Sequence, residues 1–180
     1  MKRLSILLVV LSMSGLAPAT AHEAPSGELS PVTGEFTIEC DIHLPSWPSA
    51  GGAQAECWGD AYGSGSHGVA PFLALGRRNA HIDFAHSWTC FLGEPPLVGF
   101  AAGTIEILTT AGELEFDFVW NGVFFSGPVE THDPRIGGHV HPGAAGGWMS
   151  VVPRSAPIPT CVAPGPLDAE LIIKAEVQGV

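Results

Sequence analysis

The chain has 180 residues and carries 18 aspartates and glutamates against 7 lysines and arginines, a formal net charge of −11 at pH 7. Such an excess of acid argues against nucleic acid or an anionic membrane surface as a partner, because both would repel the chain. The length is that of one ordinary domain with room for a sizeable core.

The first 21 residues are typical of a secretory signal peptide. Two basic residues precede the apolar run LSILLVVLSMSGLA, which leads to the small-x-small motif Ala19-Thr20-Ala21. The run is too short, and too often interrupted by serine and glycine, to span a membrane, so we expect no membrane insertion. Cleavage after Ala21 would leave His22 at the N-terminus, and cleavage after Ala19 is the alternative. We therefore predict a secreted protein, extracellular or, where the source has an outer membrane, periplasmic.

Alternation of apolar and polar residues predicts β-strands through most of the remaining chain. Five segments show it: GEFTIECDIHL (34–44), HIDFAHSWTCFL (81–92), LVGFAAGTIEILTT (97–110), ELEFDFVW (113–120) and LDAELIIKAEV (167–177). Two of them flank Ala111-Gly112 as a hairpin, and Asn121-Gly122 predicts a second hairpin that continues into VFFSG. Segments rich in glycine, proline and serine, such as YGSGSHGVAP (62–71) and THDPRIGGHVHPGAAGG (131–147), are expected to be loops.

No stretch carries helical periodicity with capping residues. Short strands at fairly regular spacing, with no helices between them, predict an all-β fold, either a sandwich or a barrel of antiparallel strands. Of the two we expect an antiparallel β-sandwich, immunoglobulin-like or jelly-roll-like. The predicted organisation is a signal peptide at 1–21, a flexible lead-in at 22–33 and a single β-sandwich domain at 34–180.

Four cysteines follow the leader: Cys40, Cys57, Cys90 and Cys161. They are widely spaced and include no C-x-x-C pair, the pattern of many zinc and redox sites. In an exported chain, an even number of such cysteines predicts two disulfide bonds. Three pairings are open, and a bridge between Cys40 and Cys90 is one option because both lie on the apolar face of a predicted strand.

The mature N-terminus is the first candidate metal site. If cleavage follows Ala21, His22 supplies an α-amine and an imidazole that together chelate copper, and His139 or His141 would complete a three-nitrogen site. This arrangement resembles the histidine brace of lytic polysaccharide monooxygenases and the N-terminal histidine of CopC-type copper carriers, both secreted β-sandwiches. The resemblance covers that one residue and the fold class, and it implies copper as the cofactor.

The segment GGHVHPG (137–143) is the second candidate metal site. On a strand, His139 and His141 would point the same way, which is the spacing that a metal pair needs. The pair is similar to the double histidine of cupins, but the residues that follow, PGAAGGW, lack the glutamate that cupins carry. Because the glycines and the proline favour a loop, the expectation for both histidines is a solvated position.

Catalytic motifs are absent from the sequence. It contains no G-x-S-x-G, H-E-x-x-H, P-loop or glycine-rich dinucleotide motif. The carboxylates of Glu113, Glu115 and Asp117 form a row that is expected to be the solvated face of a strand. We therefore predict no catalytic residue and no cofactor, with copper as the alternative.

Aromatic residues offer the remaining candidate surface. Trp47 and Trp148 lie in loop contexts, where a flat exposed ring could bind a glycan or an extracellular protein. Trp88 and Trp120 fall on apolar strand faces and are expected in the core, together with His86. The main hypothesis is an exported, disulfide-stabilised, non-catalytic binding or structural module. The alternative is a copper-binding or copper-dependent oxidative protein.

Overall fold

The computed structural model describes residues 29–48, 52–90 and 98–180. These residues form ten β-strands, which are β1 (Val32–Trp47), β2 (Ala53–His67), β3 (Ala70–Leu73), β4 (Ala80–Thr89), β5 (Val98–Thr109), β6 (Gly112–Val123), β7 (Ser126–Ile136), β8 (His139–Val140), β9 (Ala144–Pro153) and β10 (Gly165–Gly179). In these ranges no helix has the length and apolar character needed to cross a membrane. The all-β prediction is confirmed.

Eight of the strands form a closed antiparallel barrel. Their order around it is β1-β2-β4-β5-β6-β7-β9-β10, so each long strand pairs with the next one along the chain. Strand β10 then pairs with β1, from Val32 opposite Gly179 to Leu44 opposite Leu167, and this closes the ring. The short strands β3 and β8 add to β2 and β7 outside it. Closure leaves the eight-stranded ring without a free sheet edge.

The prediction of a β-sandwich is therefore wrong. A sandwich consists of two packed sheets, whereas β1 pairs with both β2 and β10, so one sheet closes on itself. The alternation of apolar and polar residues is the same in both architectures, because each buries one face of every strand. What distinguishes them is the contact between the first and last strands, which lie at opposite ends of the domain sequence.

Side chains fill the interior of the barrel. Large apolar residues from every long strand except β2 point inward, among them Phe36, Ile38, Ile82, Ile105, Phe116, Phe118, Met149, Leu171 and Ile173. The space left among His86, Trp88, Trp120 and their neighbours is about 10 Å³, no more than one water molecule requires. Among the described residues this part of the interior has no room for a ligand, which favours a binding site on the outer surface or at an end of the barrel.

Glycines allow neighbouring strands to come close where the sheet bends. A Cβ atom at Gly63, which has a φ of 145°, would collide with the carbonyl oxygen of Glu35 on β1. A Cβ atom at Gly103 would likewise collide with the carbonyl oxygen of Asp83 on β4. Glycine kinks of this kind are the usual means by which a sheet curves enough to close.

The predicted hairpin at Asn121-Gly122 is wrong. Strand β6 continues to Val123, which pairs with Ser126, and the turn lies at Phe124 and Phe125 with φ values of 51° and 64°. Gly122 has a different role, because a Cβ atom there would overlap the indole ring of the buried Trp120. This glycine provides space for a ring rather than a turn.

The strands extend further than the sequence pattern predicts. The predicted loop 62–71 contains the end of β2 and all of β3, and the predicted loop 131–147 contains parts of β7, β8 and β9. Strand β1 begins at Val32, two residues before the expected start of the domain. The predicted signal peptide and His22 lie outside the described residues.

Two disulfide bonds are present, as predicted. Cys40 bonds Cys57 between the paired strands β1 and β2, and Cys90 bonds Cys161 between the end of β4 and the connection from β9 to β10. The option of a bridge between Cys40 and Cys90 is excluded, because Cys40 points into the barrel whereas Cys90 follows β4 and is exposed. Two disulfides are compatible with an oxidising compartment outside the cytoplasm.

Candidate functional site

A groove of about 660 Å³ lies on the outer surface of the barrel. Its floor is the outward face of β1 and β10, and its sides are β2, which carries Tyr62, and β9, which carries Trp148. We call it the aromatic groove. Glu35, Lys174 and Glu176 also line it, so two exposed aromatic rings enclose a charged floor.

The strand register sets the width of the aromatic groove. Tyr62 pairs with Thr37, Thr37 with Lys174, and Lys174 with Trp148, which places all four residues in one row across four strands. Neighbouring strands are about 4.8 Å apart, so the Cα atoms of the two aromatic residues are roughly 14 Å apart along the surface. Small residues, including Gly146, leave the space between the rings open.

Hydrogen bonds fix both aromatic rings. Trp148 is 50% exposed, and its Nε1 donates to the Ser126 hydroxyl at 2.7 Å. Tyr62 is 53% exposed, and its hydroxyl donates to Asp60 at 3.3 Å. The negative charge of Asp60 raises the pKa of Tyr62 above its ordinary value of 10.0. Rings that are already positioned lose little conformational freedom when they bind a ligand.

The charged groups on the floor of the groove are free to bind a ligand. Glu35 lies directly opposite Glu176, an unfavourable pairing of like charges. The equivalent pair further along the strands, Asp41 and Glu170, is bridged by Arg154 at 2.8 and 3.3 Å. Within the described ranges no ion pair involves Glu35, Glu176 or Lys174.

Of the two tryptophans predicted to be exposed, Trp148 is exposed and Trp47 is not. Trp47 is 0% exposed, and its ring centroid is 5.3 Å from that of Trp88 and 5.5 Å from that of Phe125. Strand β1 reaches this far, and an irregularity in its register between Leu44 and Trp47 turns the ring into the barrel. Trp88 and Trp120 are buried, as predicted.

A further exposed tryptophan, Trp58, lies on another part of the surface. Its ring stacks on His81 with centroids 4.2 Å apart and planes 21° apart. The hollow beside it, of about 170 Å³, also contains Glu106 and Glu113. Because His81 covers one face of the ring, Trp58 is less available to a ligand than its 62% exposure indicates.

The predicted carboxylate row lies on the outer face of β6. Glu106, Glu113 and Glu115 are the one group in the described residues whose candidate metal-ligand atoms all lie within 4.8 Å of one another. Arg135 supplies compensating charge, with nitrogen atoms 2.7 Å from Glu115 and 2.8 Å from Asp117. Its hydrogen bonds lower the pKa of Asp117. Arg135 therefore balances the negative charge of Glu115 and Asp117.

The two histidines predicted as a metal pair do not share a strand face. His139 is exposed in the two-residue strand β8, whereas His141 follows that strand and is fully buried. The expectation of two solvated histidines is therefore wrong for His141, whose ring meets that of His67 at 5.1 Å. Burial lowers the pKa of His141, and the nearby His67 and His139 lower it further. The barrel also removes the β-sandwich part of the resemblance to histidine-brace proteins.

His86 is a core histidine with a satisfied nitrogen, as predicted. It is buried inside the barrel, where Trp88 Nε1 donates a hydrogen bond to its Nδ1 at 3.2 Å. Burial lowers its pKa from the ordinary value of 6.5. The folded protein therefore keeps this ring neutral at a pH at which the unfolded chain binds a proton.

Thermal stability should fall as the pH decreases below 6.5. The unfolded state then binds a proton at residue 86 that the folded state resists, so the contribution of His86 is complete above pH 6.5 and declines below it. We expect His86→Gln, which keeps an acceptor for Trp88, to show a smaller drop in Tm between pH 7 and pH 5. Calorimetry at both pH values measures this, with exposed His43→Gln as the control. An undiminished drop in His86→Gln would contradict the assignment.

No protein-family model matches the chain, and neither a curated protein nor a solved structure is significantly similar to it. The aromatic groove is therefore identified from its geometry alone. Sequence reasoning found one of its two rings, Trp148, and missed Tyr62.

Proposed function

We propose that this protein is an exported binding module that holds a neutral glycan in the aromatic groove. The observation that carries the proposal is the placement of Tyr62 and Trp148, both half-exposed, on either side of a groove with a polar floor. Ligand sites commonly combine apolar or aromatic walls with a few placed polar groups. The interior around His86 and Trp120 is filled with side chains, which leaves the outer surface for a ligand.

The chemistry of a sugar matches both parts of the groove. A pyranose ring has apolar C–H faces that pack on aromatic rings, and Tyr62 and Trp148 offer rigid area of that kind. Its hydroxyl groups need hydrogen-bond partners, which the Glu35 and Glu176 carboxylates can accept and the Lys174 ammonium can donate. The separation of roughly 14 Å between the two aromatic Cα atoms suits an oligosaccharide rather than a single sugar.

Charge favours a neutral glycan over an anionic one. The chain carries a net charge of −11, and two of the three charged residues on the groove floor are glutamates. An anionic polysaccharide would be repelled both at long range and at contact. Lys174 alone does not offset these charges.

Retention on an insoluble neutral polysaccharide should depend on both rings. We expect the unmutated protein to bind at least one of cellulose, chitin and xylan, and Trp148→Ala or Tyr62→Ala to weaken binding by roughly tenfold or more, as is typical of aromatic hot spots. Depletion isotherms with each polysaccharide measure the affinity. Trp58→Ala is the matched control, because it removes an exposed tryptophan outside the groove.

Two results would refute the glycan proposal. One is the absence of binding by the unmutated protein to any of the three polysaccharides. The other is an equal loss in Trp58→Ala, which would indicate nonspecific adsorption through exposed tryptophans. If the polysaccharides fail and Trp148→Ala instead abolishes association with an extracellular protein, the groove is a protein-binding surface.

A further inference from the structure

Three histidines lie at the end of the barrel at which β1 begins. His67 is the last residue of β2 and pairs with Val32, the first residue of β1. His139 opens β8, and His141 follows it. The rings of His67 and His141 have centroids 5.1 Å apart and planes at 82°, and His139 lies two residues before His141 in the chain. The histidines come from two distant parts of the chain, so the fold brings them together.

His141 is buried, and the hydrogen-bonding capacity of its ring nitrogens is not satisfied. It is 0% exposed, and neither Nδ1 nor Nε2 has a hydrogen-bond partner of good geometry within the described ranges. The backbone of Ser30 makes a hydrogen-bonding contact with the ring outside good geometry, and this contact raises the pKa of His141. Buried polar groups in native proteins are nearly always hydrogen-bonded, because an unpaired one costs free energy. At most one of the two ring nitrogens therefore has a backbone contact, and the other, beside a second imidazole, calls for a ligand.

The donor set identifies the class of ligand. Imidazole nitrogens suit copper and zinc, whereas calcium and magnesium prefer oxygen ligands. The carboxylate nearest in sequence to His139 and His141 is that of Asp133. It already accepts a hydrogen bond from the Gly143 amide at 3.2 Å. We propose that His67, His139 and His141 form a binding site for one divalent transition-metal ion, copper(II) or zinc(II), at this end of the barrel.

Closing the site requires one side chain to move. The described residues contain no three histidine nitrogens within 4.8 Å of one another. His139 is exposed in the two-residue strand β8, so its side chain can change rotamer at little cost. His67 and His141 form the fixed pair, and His139 rotates to complete it.

Metal retention by the full exported chain tests the proposal. The protein, free of any affinity tag and stripped with EDTA, is mixed with one equivalent of Cu(II) or Zn(II) and examined by native mass spectrometry and competition titration. We expect one ion per chain, and a loss of affinity of about tenfold or more in His67→Gln and in His139→Gln. His43→Gln, which alters an exposed histidine on β1, is the matched control and should bind as the unmutated protein does.

The variants separate this site from an N-terminal one. His67→Gln and His139→Gln leave the buried His141 in place, so they test the site without disturbing the core, and circular dichroism verifies their fold. Failure to retain either ion would overturn the proposal, as would unchanged affinity in His67→Gln. Loss of binding in His22→Ala but not in His67→Gln would assign the ion to the N-terminus alone. These outcomes do not depend on the aromatic groove, so the metal proposal and the glycan proposal can fail independently.

Discussion

Replacing Cys90 and Cys161 with alanine should lower the free energy of unfolding by about 4 kcal/mol. This bridge closes a loop of 71 residues in sequence, whereas the bridge between Cys40 and Cys57 closes one of 17. In the chain-entropy description a longer loop removes more freedom from the unfolded state, and the shorter one is worth about 3 kcal/mol. The long-range bridge also links β4 to the connection before β10, two elements that are not neighbours in the barrel.

Urea unfolding of the double variant measures this loss. Cys90 is exposed and Cys161 is partly exposed, so replacing them removes little packing and the effect reports mainly on the cross-link. The Cys40 and Cys57 pair is a less direct comparison, because both sulfur atoms are buried and their removal adds a packing loss. A destabilisation below about 1 kcal/mol for the Cys90 and Cys161 variant would mean that the bridge restricts the unfolded chain far less than its loop length predicts.

Local alternation in the sequence is enough to locate strands and their buried faces. The inward residues of 34–44 and 167–177 are buried as the pattern predicts, and the two segments pair with each other over their full length. The pattern cannot show that pairing, because periodicity reports which face is buried and not which strand lies beside it. The choice between sandwich and barrel depends on that one long-range contact.

There is a physical reason why the sequence does not predict Tyr62 as part of the aromatic groove. In the segment that contains Tyr62, the inward positions Gly59 and Ala61 are small, and a Cβ atom at Gly59 would collide with the carbonyl oxygen of Glu39 on β1. A search for alternating large apolar residues therefore finds none, and the segment looks like a loop. The alternation is present on the outward side, where Trp58, Asp60 and Tyr62 occur at every second position.

The histidine cluster could be predicted only in part. The sequence identifies His139 and His141 by their spacing, but not His67, which lies in a glycine-rich segment far from them in the chain. Its position beside His141 follows from barrel closure, since β2 and β10 both end next to the start of β1. Long-range topology thus determines the candidate metal site as well as the fold.

Replacing Trp47 with alanine should destabilise the protein by about 3–5 kcal/mol, the usual range for a fully buried large aromatic residue. The ring lies at the end of the barrel against Trp88 and Phe125, and its removal would leave a cavity that these neighbours cannot fill. We expect Trp47→Phe to lose much less, because Trp47 Nε1 has no hydrogen-bond partner in the described part of the chain and the replacement breaks no hydrogen bond. Urea unfolding followed by circular dichroism measures both variants.

Trp148→Ala is the matched comparison for Trp47→Ala. Its ring is half-exposed on the outer surface, so we expect a change in stability of no more than about 0.5 kcal/mol, as for most surface substitutions. Equal and small effects at the two positions would mean that Trp47 lies in an exposed loop, as its sequence context indicates, and would contradict the inward turn at the end of β1. A large loss of stability in Trp47→Ala with a small one in Trp148→Ala would show that the ring of Trp47 is part of the core. The ring of Trp148 is then available for binding, and a loss of glycan retention in Trp148→Ala cannot be attributed to unfolding.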